Sequence, residues 1–376
     1  MRPFFPDGIL TFNETLLPFT AALAEELDLP FHSRETTSLA VDKFRQRERL
    51  RAAGVDAVRS AVITGPGDVP AALERVGAPA IVKPASGGGS RDVHLVHSVA
   101  EAVELVGRLP ASPAEPFVVE EYLVGRDLAP FGDYLSVETA VSYGHASHIA
   151  ITGKGPLVPP FRETAQFWPA LLDPDEQTEV LRLTTDIVAA LGVRTGMVHT
   201  EFKRTATGPR LIEFNGRMGG FMQDMSAHTG GPDLIATAAR IALGERVSLP
   251  LLDTDRVAFQ AWNLAPIAPS RLERVDGAAE VRGQSDVVSY HTYVRPGTDL
   301  GGGVMVHRLD LLSGVSAHHE RMFTAMDEAL SALSFTFAFA HGRSTVTGRQ
   351  LVDMPENRMA PLTRGGASTP RPPQPR

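Results

Sequence analysis

No cysteine occurs among the 376 residues, which excludes disulfides, thiolate metal sites and thiol nucleophiles. Nor does any apolar run approach the roughly 20 residues of a membrane-spanning helix. The opening Met-Arg-Pro-Phe-Phe-Pro has one basic residue and no apolar helix of signal-peptide length, so a cytoplasmic location with no membrane partner is expected. Basic charge is not in excess: Lys and Arg number 36 against 44 Asp and Glu, a net charge of −8. No basic stripe alternates with aromatics, so nucleic acid is not an expected partner. No internal repeat is visible. What is present, 43% hydrophobic and 21% charged residues, describes an ordinary globular chain too long for one simple core.

Strand-like and helical runs alternate over the first half. Ala80–Val82 and Val93–Val96 read as strands, with helices over Val69–Val76 and Val99–Leu109. Gly8–Phe12, His32–Thr36 and, much later, Gly303–Leu309 also read as short strands. Leu135–Tyr143 and Ala146–Thr152 alternate around Gly144-His145 as a hairpin, and Asp173-Pro174 opens a helix over Asp175–Leu191. The mixture indicates α/β and α+β parts around a cleft. From about Gly342 the chain turns polar and rich in Pro, Gly and Arg, and a disordered tail is expected over 342–376.

The most informative stretch is Met197–Gly220. Val198–Lys203 and Arg210–Asn215 are apolar, strand-like runs separated by Thr-Ala-Thr-Gly-Pro, a hairpin signal. Pairing symmetric about Thr207 sets Glu201 directly opposite Glu213, with Asn215 on the face of Glu213. Facing carboxylates repel. Keeping both beside a carboxamide fits a hard divalent cation such as Mg²⁺, which takes oxygen ligands; Mn²⁺ is the alternative ion. Two solvated acids on an exposed sheet face are the competing reading.

Three further segments carry chemistry. Lys83 ends a strand that runs into Pro84-Ala85-Ser86-Gly87-Gly88-Gly89-Ser90, where successive glycines let backbone N–H groups turn toward an anion. The lysine precedes the glycines, so this is neither a P-loop nor a dinucleotide fingerprint; a mobile surface connection is the alternative. Phe117–Glu121 leads through Glu120 and Glu121 to Tyr122-Leu123, where an acid suits an exocyclic amine and the backbone an adenine edge. Taken alone, this segment is better read as two solvated acids closing a strand. Lys43, in a basic helix, reads alone as a solvated face. Arg217 emerges just past the Glu213 strand, placed either to neutralise charge on a transferred phosphoryl group or acyl oxyanion or to pair with Glu213.

In this order these segments resemble the ATP-grasp superfamily across about residues 38 to 245. The resemblance implies two α+β lobes clamping ATP, with Lys43 and Lys83 on the phosphates and the Gly87–Ser90 loop closing over them. Glu120 and the Glu121–Leu123 backbone would take adenine, and Glu201, Glu213 and Asn215 would ligate Mg²⁺. The implied domains are a remnant of an N-terminal Rossmann-like domain (1–37), a first lobe (38–116), a second lobe (117–248) and a strand-rich C-terminal subdomain (249–341).

Within the superfamily, Gly132-Asp133-Tyr134-Leu135-Ser136-Val137-Glu138, Arg162-Glu163-Thr164-Ala165-Gln166 and His199-Thr200-Glu201-Phe202-Lys203 resemble the L-amino acid ligases of bacilysin-synthetase type. In that family the glutamate matching Glu163 binds the substrate α-ammonium group. The arginine matching Arg217 steadies the acyl-phosphate and tetrahedral intermediate, and the aromatic position matching Phe221 sets pocket size. Gln166 stands where that family has a histidine, so recognition of the second substrate is expected to differ. The chain starts near the end of that family's N-terminal domain, as a truncated start, a misassigned start codon or a shortened variant would produce. The implied function is an ADP-forming carboxylate–amine ligase working through an acyl-phosphate, with small-molecule carboxylate and amine substrates. A homodimer is compatible with the resemblance. Alternatives are a ligase with a non-amino-acid carboxylate donor, and a nucleotide-binding module without turnover.

Overall fold

Short β-branched and aromatic runs separated by glycine turns favour antiparallel pairing. A computed structural model describes residues 5–357, whose strands form three such sheets. A four-stranded sheet orders Ser60–Ile63, Phe117–Glu121, Ala80–Pro84 and His94–Val96, with helices Val69–Val76 and Val99–Val106 on it. Its core joins Ile63, Val82 and Val119 to Leu73 and Val106. Burying each such side chain contributes about 1.5–3 kcal/mol.

The central sheet has eight strands. Tyr134–Ser142, Gly196–Thr205 and Gly208–Asn215 lie at one end, and Val257–Ala261, Asp310–Ser316 and Val287–Thr292 at the other. Helix Pro174–Ala190 covers one face, with Ile187 and Val188 against Val137, Phe202 and Phe214. A third, four-stranded sheet holds Ser270–Asp276, Ser334–Phe339 and Gly342–Thr347 with the short strand Asp299–Leu300. The boundary drawn at 249 therefore falls inside one sheet: strands from both sides of it hydrogen-bond, as Phe259 with Phe167.

Three expected strands are absent. His32–Thr36 instead leads into the helix Arg34–Val41, because the Ser33 hydroxyl accepts from the Thr36 amide and caps it. Gly8–Phe12 has no regular structure. Gly303–Leu309 divides its bonds between two segments, Gly303 N–H to Ile267 O and Leu309 N–H to Asn263 O on one and Val306 N–H to Gly89 O on the other, each at 2.8 Å. Residues 342–357 are not part of the expected tail. Gly342–Thr347 pairs residue by residue with Ser334–Phe339, and a Thr347/Gln350 capping box opens the short helix Gly348–Leu351. The β-branched Thr345, Val346 and Thr347, two of them polar, suit an edge strand. The rest of that stretch, 358–376, lies outside the described residues.

Candidate active site

A cavity of about 540 Å³ opens between the four-stranded and central sheets, and every residue singled out from the sequence except Ser86 lines it. Ser86 is exposed at the entry to the glycine loop. Gly87 and Gly89 take φ of +95° and +68°, which their missing Cβ permits at no steric cost. Ser90 follows at φ +54°. Two backbone bonds fasten this loop to the C-terminal part of the chain, Val306 N–H to Gly89 O at 2.8 Å and Asp92 N–H to Val304 O at 2.9 Å.

Glu201 lies opposite Glu213 and His199 opposite Asn215, as expected, but through a register shift between Glu201 and Phe202. Nearer the turn, Thr205 pairs with Gly208 and not with Pro209. Four polar side chains thus project from one face of two strands. His199 sits between two acids, its Nδ1 against Glu138 and its Nε2 3.0 Å from Glu201 Oε1. Burial pushes its pKa down, but Glu138 and Glu201 outweigh that and raise it to about 9. Burial likewise raises Glu201, and the His199 hydrogen bond and charge bring it to about 2. Glu138 also accepts from the Gly219 amide at 3.0 Å, an approach only glycine allows: a Cβ there would lie 2.7 Å from Glu138 Oε1.

The neighbouring cations are held in pairs. Lys43, first residue of the helix Lys43–Ala52 capped by Asp42, reaches Glu213 Oε1 at 2.9 Å. Arg47, one helical turn on, bridges Glu120 and Asp56, and Lys83 meets Glu120 Oε2 at 2.8 Å. Burial alone would raise the Glu120 carboxyl, but Arg47 and Lys83 hold it at about 2. Glu120 is therefore the counterion of two buried cations, and breaking such a set costs about 3–5 kcal/mol. Glu121 faces outward to Arg59 at 3.1 Å. Arg217 pairs with Glu14 at 3.0 Å, and the Asn215 amide nitrogen, turned to satisfy both groups, donates to Glu14 Oε2 at 2.8 Å. Burial, then repulsion from Glu213, raises the Glu14 carboxyl.

At the other end of the cavity, Lys154 lies 3.9 Å from Glu163 Oε1 and donates to Gln166 Oε1 at 3.3 Å. Gln166 Nε2 donates to Gly220 O and Gln260 Oε1, so its carboxamide is fully engaged within the protein. Phe221 takes φ +64°, rare for an aromatic residue, and initiates the helix Met222–His228. Arg308 lies over its ring.

The donor set fits a Mg²⁺ ion. Among the described residues no cluster of three or more His, Asp or Glu side chains forms a complete metal cage. Mg²⁺ typically needs only one or two carboxylates and completes its shell with substrate phosphate and water. Glu201 and Glu213, facing each other, and Asn215 beside them offer that.

Sequence reasoning missed Glu14, Arg47, Glu138, Lys154 and Arg308. Arg47 was hidden in a basic helix, although its spacing of four from Lys43 and three from apolar Leu50 marks one buried face. Glu14 and Arg308 stand alone in irregular segments with no periodicity to betray them.

Residues 76–224 match the model of the ATP-grasp domain. Carnosine synthase 1 of Mus musculus is 30% identical over 260 residues, covering 65% of this chain and 31% of that protein. Alanine–anticapsin ligase of Bacillus subtilis (strain 168) is 28% identical over 235 residues, 58% of this chain and 50% of that protein. This chain thus spans half or less of these two relatives. Among solved structures, an L-amino acid ligase from Bacillus licheniformis superimposes with a TM-score of 0.75 at 23% identity, covering 87% of this chain and 80% of that one. A biotin carboxylase from Campylobacter jejuni gives 0.65 at 16% identity over 93% of this chain and 78% of that one. The antiparallel lobes, the cavity between them and the domain match agree: this chain has the ATP-grasp fold, with an ATP-grasp domain over residues 76–224.

Proposed function

We propose that the chain is an ATP-dependent carboxylate–amine ligase that joins an L-amino acid to a second amino acid or amine. The observation that carries this is the convergence on one cavity of the facing Glu201 and Glu213, the cations Lys43, Lys83 and Arg217, and the glycine loop. The names of the relatives, a carnosine synthase and an alanine–anticapsin ligase, support the same reading. No described helix is long and apolar enough to cross a membrane, which accords with small-molecule partners in the cytoplasm.

Lys43 and Lys83 hold the nucleotide phosphates, and the Gly87–Ser90 loop closes over them. Since Glu120 is committed to Arg47 and Lys83, adenine falls to the Glu121–Leu123 backbone, and Glu120 acts by fixing Lys83. Glu201, Glu213 and Asn215 would hold Mg²⁺, which neutralises phosphate charge when bound.

The donor carboxylate oxygen attacks the γ-phosphorus of ATP. An O–P bond forms as the bridging bond to ADP breaks, leaving an acyl-phosphate. Little covalent work falls to the side chains here; they position the groups and neutralise charge. Glu163 orients the donor through its α-ammonium group, and Phe221 limits the room for its side chain. The amine nitrogen then attacks the acyl carbon, Arg217 stabilises the oxyanion, and the C–O bond to phosphate breaks as the nitrogen loses a proton. Loop closure over the cavity excludes water that would hydrolyse the intermediate.

The test is ADP and phosphate release with Mg²⁺-ATP against amino acids singly and in pairs, with product mass determined. Turnover that requires an amino acid and yields the mass of two substrates less water supports the reading. ATP binding with no turnover across the matrix refutes it.

A further inference from the structure

Cations lining the cavity are almost all spoken for. Lys43 has Glu213, Arg47 and Lys83 share Glu120, Arg91 has Asp92, Lys154 has Glu163, Lys203 has Asp133 and Arg217 has Glu14. Arg308 is the exception. Among the described residues no carboxylate lies within ion-pair distance of it, and its Nε is buried with no partner. Its guanidinium lies 4.4 Å from the centroid of the Trp262 ring and 5.3 Å from that of Phe221. Two aromatic faces therefore fix its plane, while its N–H edge is left without a protein acceptor. Burial of a guanidinium with unmet donors is unfavourable unless an anion arrives. A planar fork pre-set by stacking suits a carboxylate, which it meets with two parallel hydrogen bonds.

The surroundings say which carboxylate. Glu163, which holds the donor's ammonium group, lies near enough for its charge to act on Arg308, so a ligand on Arg308 sits beside the donor. A carboxylate about to be phosphorylated must face the phosphates, Arg217 and the acid pair, so the one taken by Arg308 is a second carboxylate. The segment bearing Arg308 is also tied to the glycine loop through Val306 and Val304, which fixes its distance from the nucleotide end.

The geometry points to Arg308 as the clamp for the free carboxylate of the amine substrate, which makes that substrate an amino acid and not a simple amine. This rests on the ligase reading and narrows it. Nothing in the sequence pattern singled out Arg308, and it lies outside residues 76–224.

The experiment compares each of the twenty standard L-amino acids with its carboxamide, which keeps the ammonium group and removes the negative charge. Binding is read from the fluorescence of Trp262, one of two tryptophans, in the presence of Mg²⁺ and a non-hydrolysable ATP analogue. Turnover is read as dipeptide formed. For at least one amino acid, the wild type should favour the acid over the amide by about 10- to 100-fold, chiefly in KM of the acceptor. R308Q should erase that preference, and R308K should restore part of it. Equal binding of acid and amide throughout, or a preference that survives in R308Q, overturns the proposal. So does a change confined to KM of the donor. Hydroxamate formation by the wild type from a donor, ATP and hydroxylamine checks the ligase reading separately. Its absence, alongside an Arg308-dependent acid preference in binding, would remove the ligase reading and leave the carboxylate clamp standing.

Discussion

At the hairpin end of the cavity, Lys43, Lys83, Arg47 and Arg217 each rest on a carboxylate, whereas at the far end Arg308 rests on two aromatic rings. The contrast follows from what each end is to receive. A nucleotide brings several negative charges together with its cation, so side chains there must stay in place without it, and internal pairing offsets their desolvation. A single carboxylate asks less: one stacked guanidinium can wait for it. Lys154 is paired with Glu163 as well, so among the described cations of the cavity Arg308 alone is left open to an anion.

Removing Glu213 breaks the paired end most severely. Glu213→Ala should lower ADP formation by about 10³-fold or more with the fold retained, since charge neutralisation at the phosphates is lost. Steady-state kinetics beside circular dichroism checks this, and normal turnover would contradict the assignment.

Next in size, Glu120→Gln leaves Arg47 and Lys83 without their shared counterion. Denaturant titration should show a stability loss of about 3–5 kcal/mol. An unchanged midpoint would mean that the pairs contribute nothing.

A pH effect follows from His32, whose Nε2 lies 2.9 Å from the carbonyl oxygen of Gly216, between Asn215 and Arg217. Burial lowers its pKa from 6.5 to about 4. The folded state thus binds this proton less readily than the unfolded state. Its contribution is complete above pH 6.5 and is lost as pH falls toward 4, by about 3 kcal/mol. His32→Gln should flatten that part of the stability–pH curve; an unaltered slope would contradict the account.

Phe221→Ala should shift relative kcat/KM toward bulkier donor side chains by about 10-fold, measured across a donor series. The smallest effect tests the contrast from its other side. Arg308→Gln strands no buried carboxylate, so stability should change by about 1 kcal/mol or less, the worth of its ring contacts. A loss as large as that of Glu120→Gln would erase the distinction between the two ends.

Much of the hairpin end was legible in the sequence, because strand periodicity and a symmetric turn dictate which residues face one another. Counting outward from Thr207 gives Glu201 opposite Glu213, but the turn centres between Ala206 and Thr207, and a bulge after Glu201 restores that pairing. Lys83 and its glycines were readable because a strand running into three glycines marks a loop whose backbone is free to turn toward a ligand. Helix burial was harder, since Lys43 and Arg47 look solvated until their carboxylates, far along the chain, are brought to them. The C-terminal part of the cavity was not legible. Gly303–Leu309 has a strand's composition, yet its hydrogen bonds are divided between separate segments, and Arg308 acquires its setting only from Trp262 and Phe221. The boundary at 249 failed likewise, because an antiparallel sheet takes strands from anywhere in the chain.

The most direct test of the ligase reading follows oxygen. With a donor amino acid labelled with ¹⁸O in its carboxylate, an acceptor, ATP and Mg²⁺, each turnover should place one ¹⁸O in the released phosphate. That transfer requires the carboxylate oxygen to have been bonded to the γ-phosphorus. Unlabelled phosphate released in step with amide formation would contradict the acyl-phosphate route, and with it the role given to the paired end of the cavity.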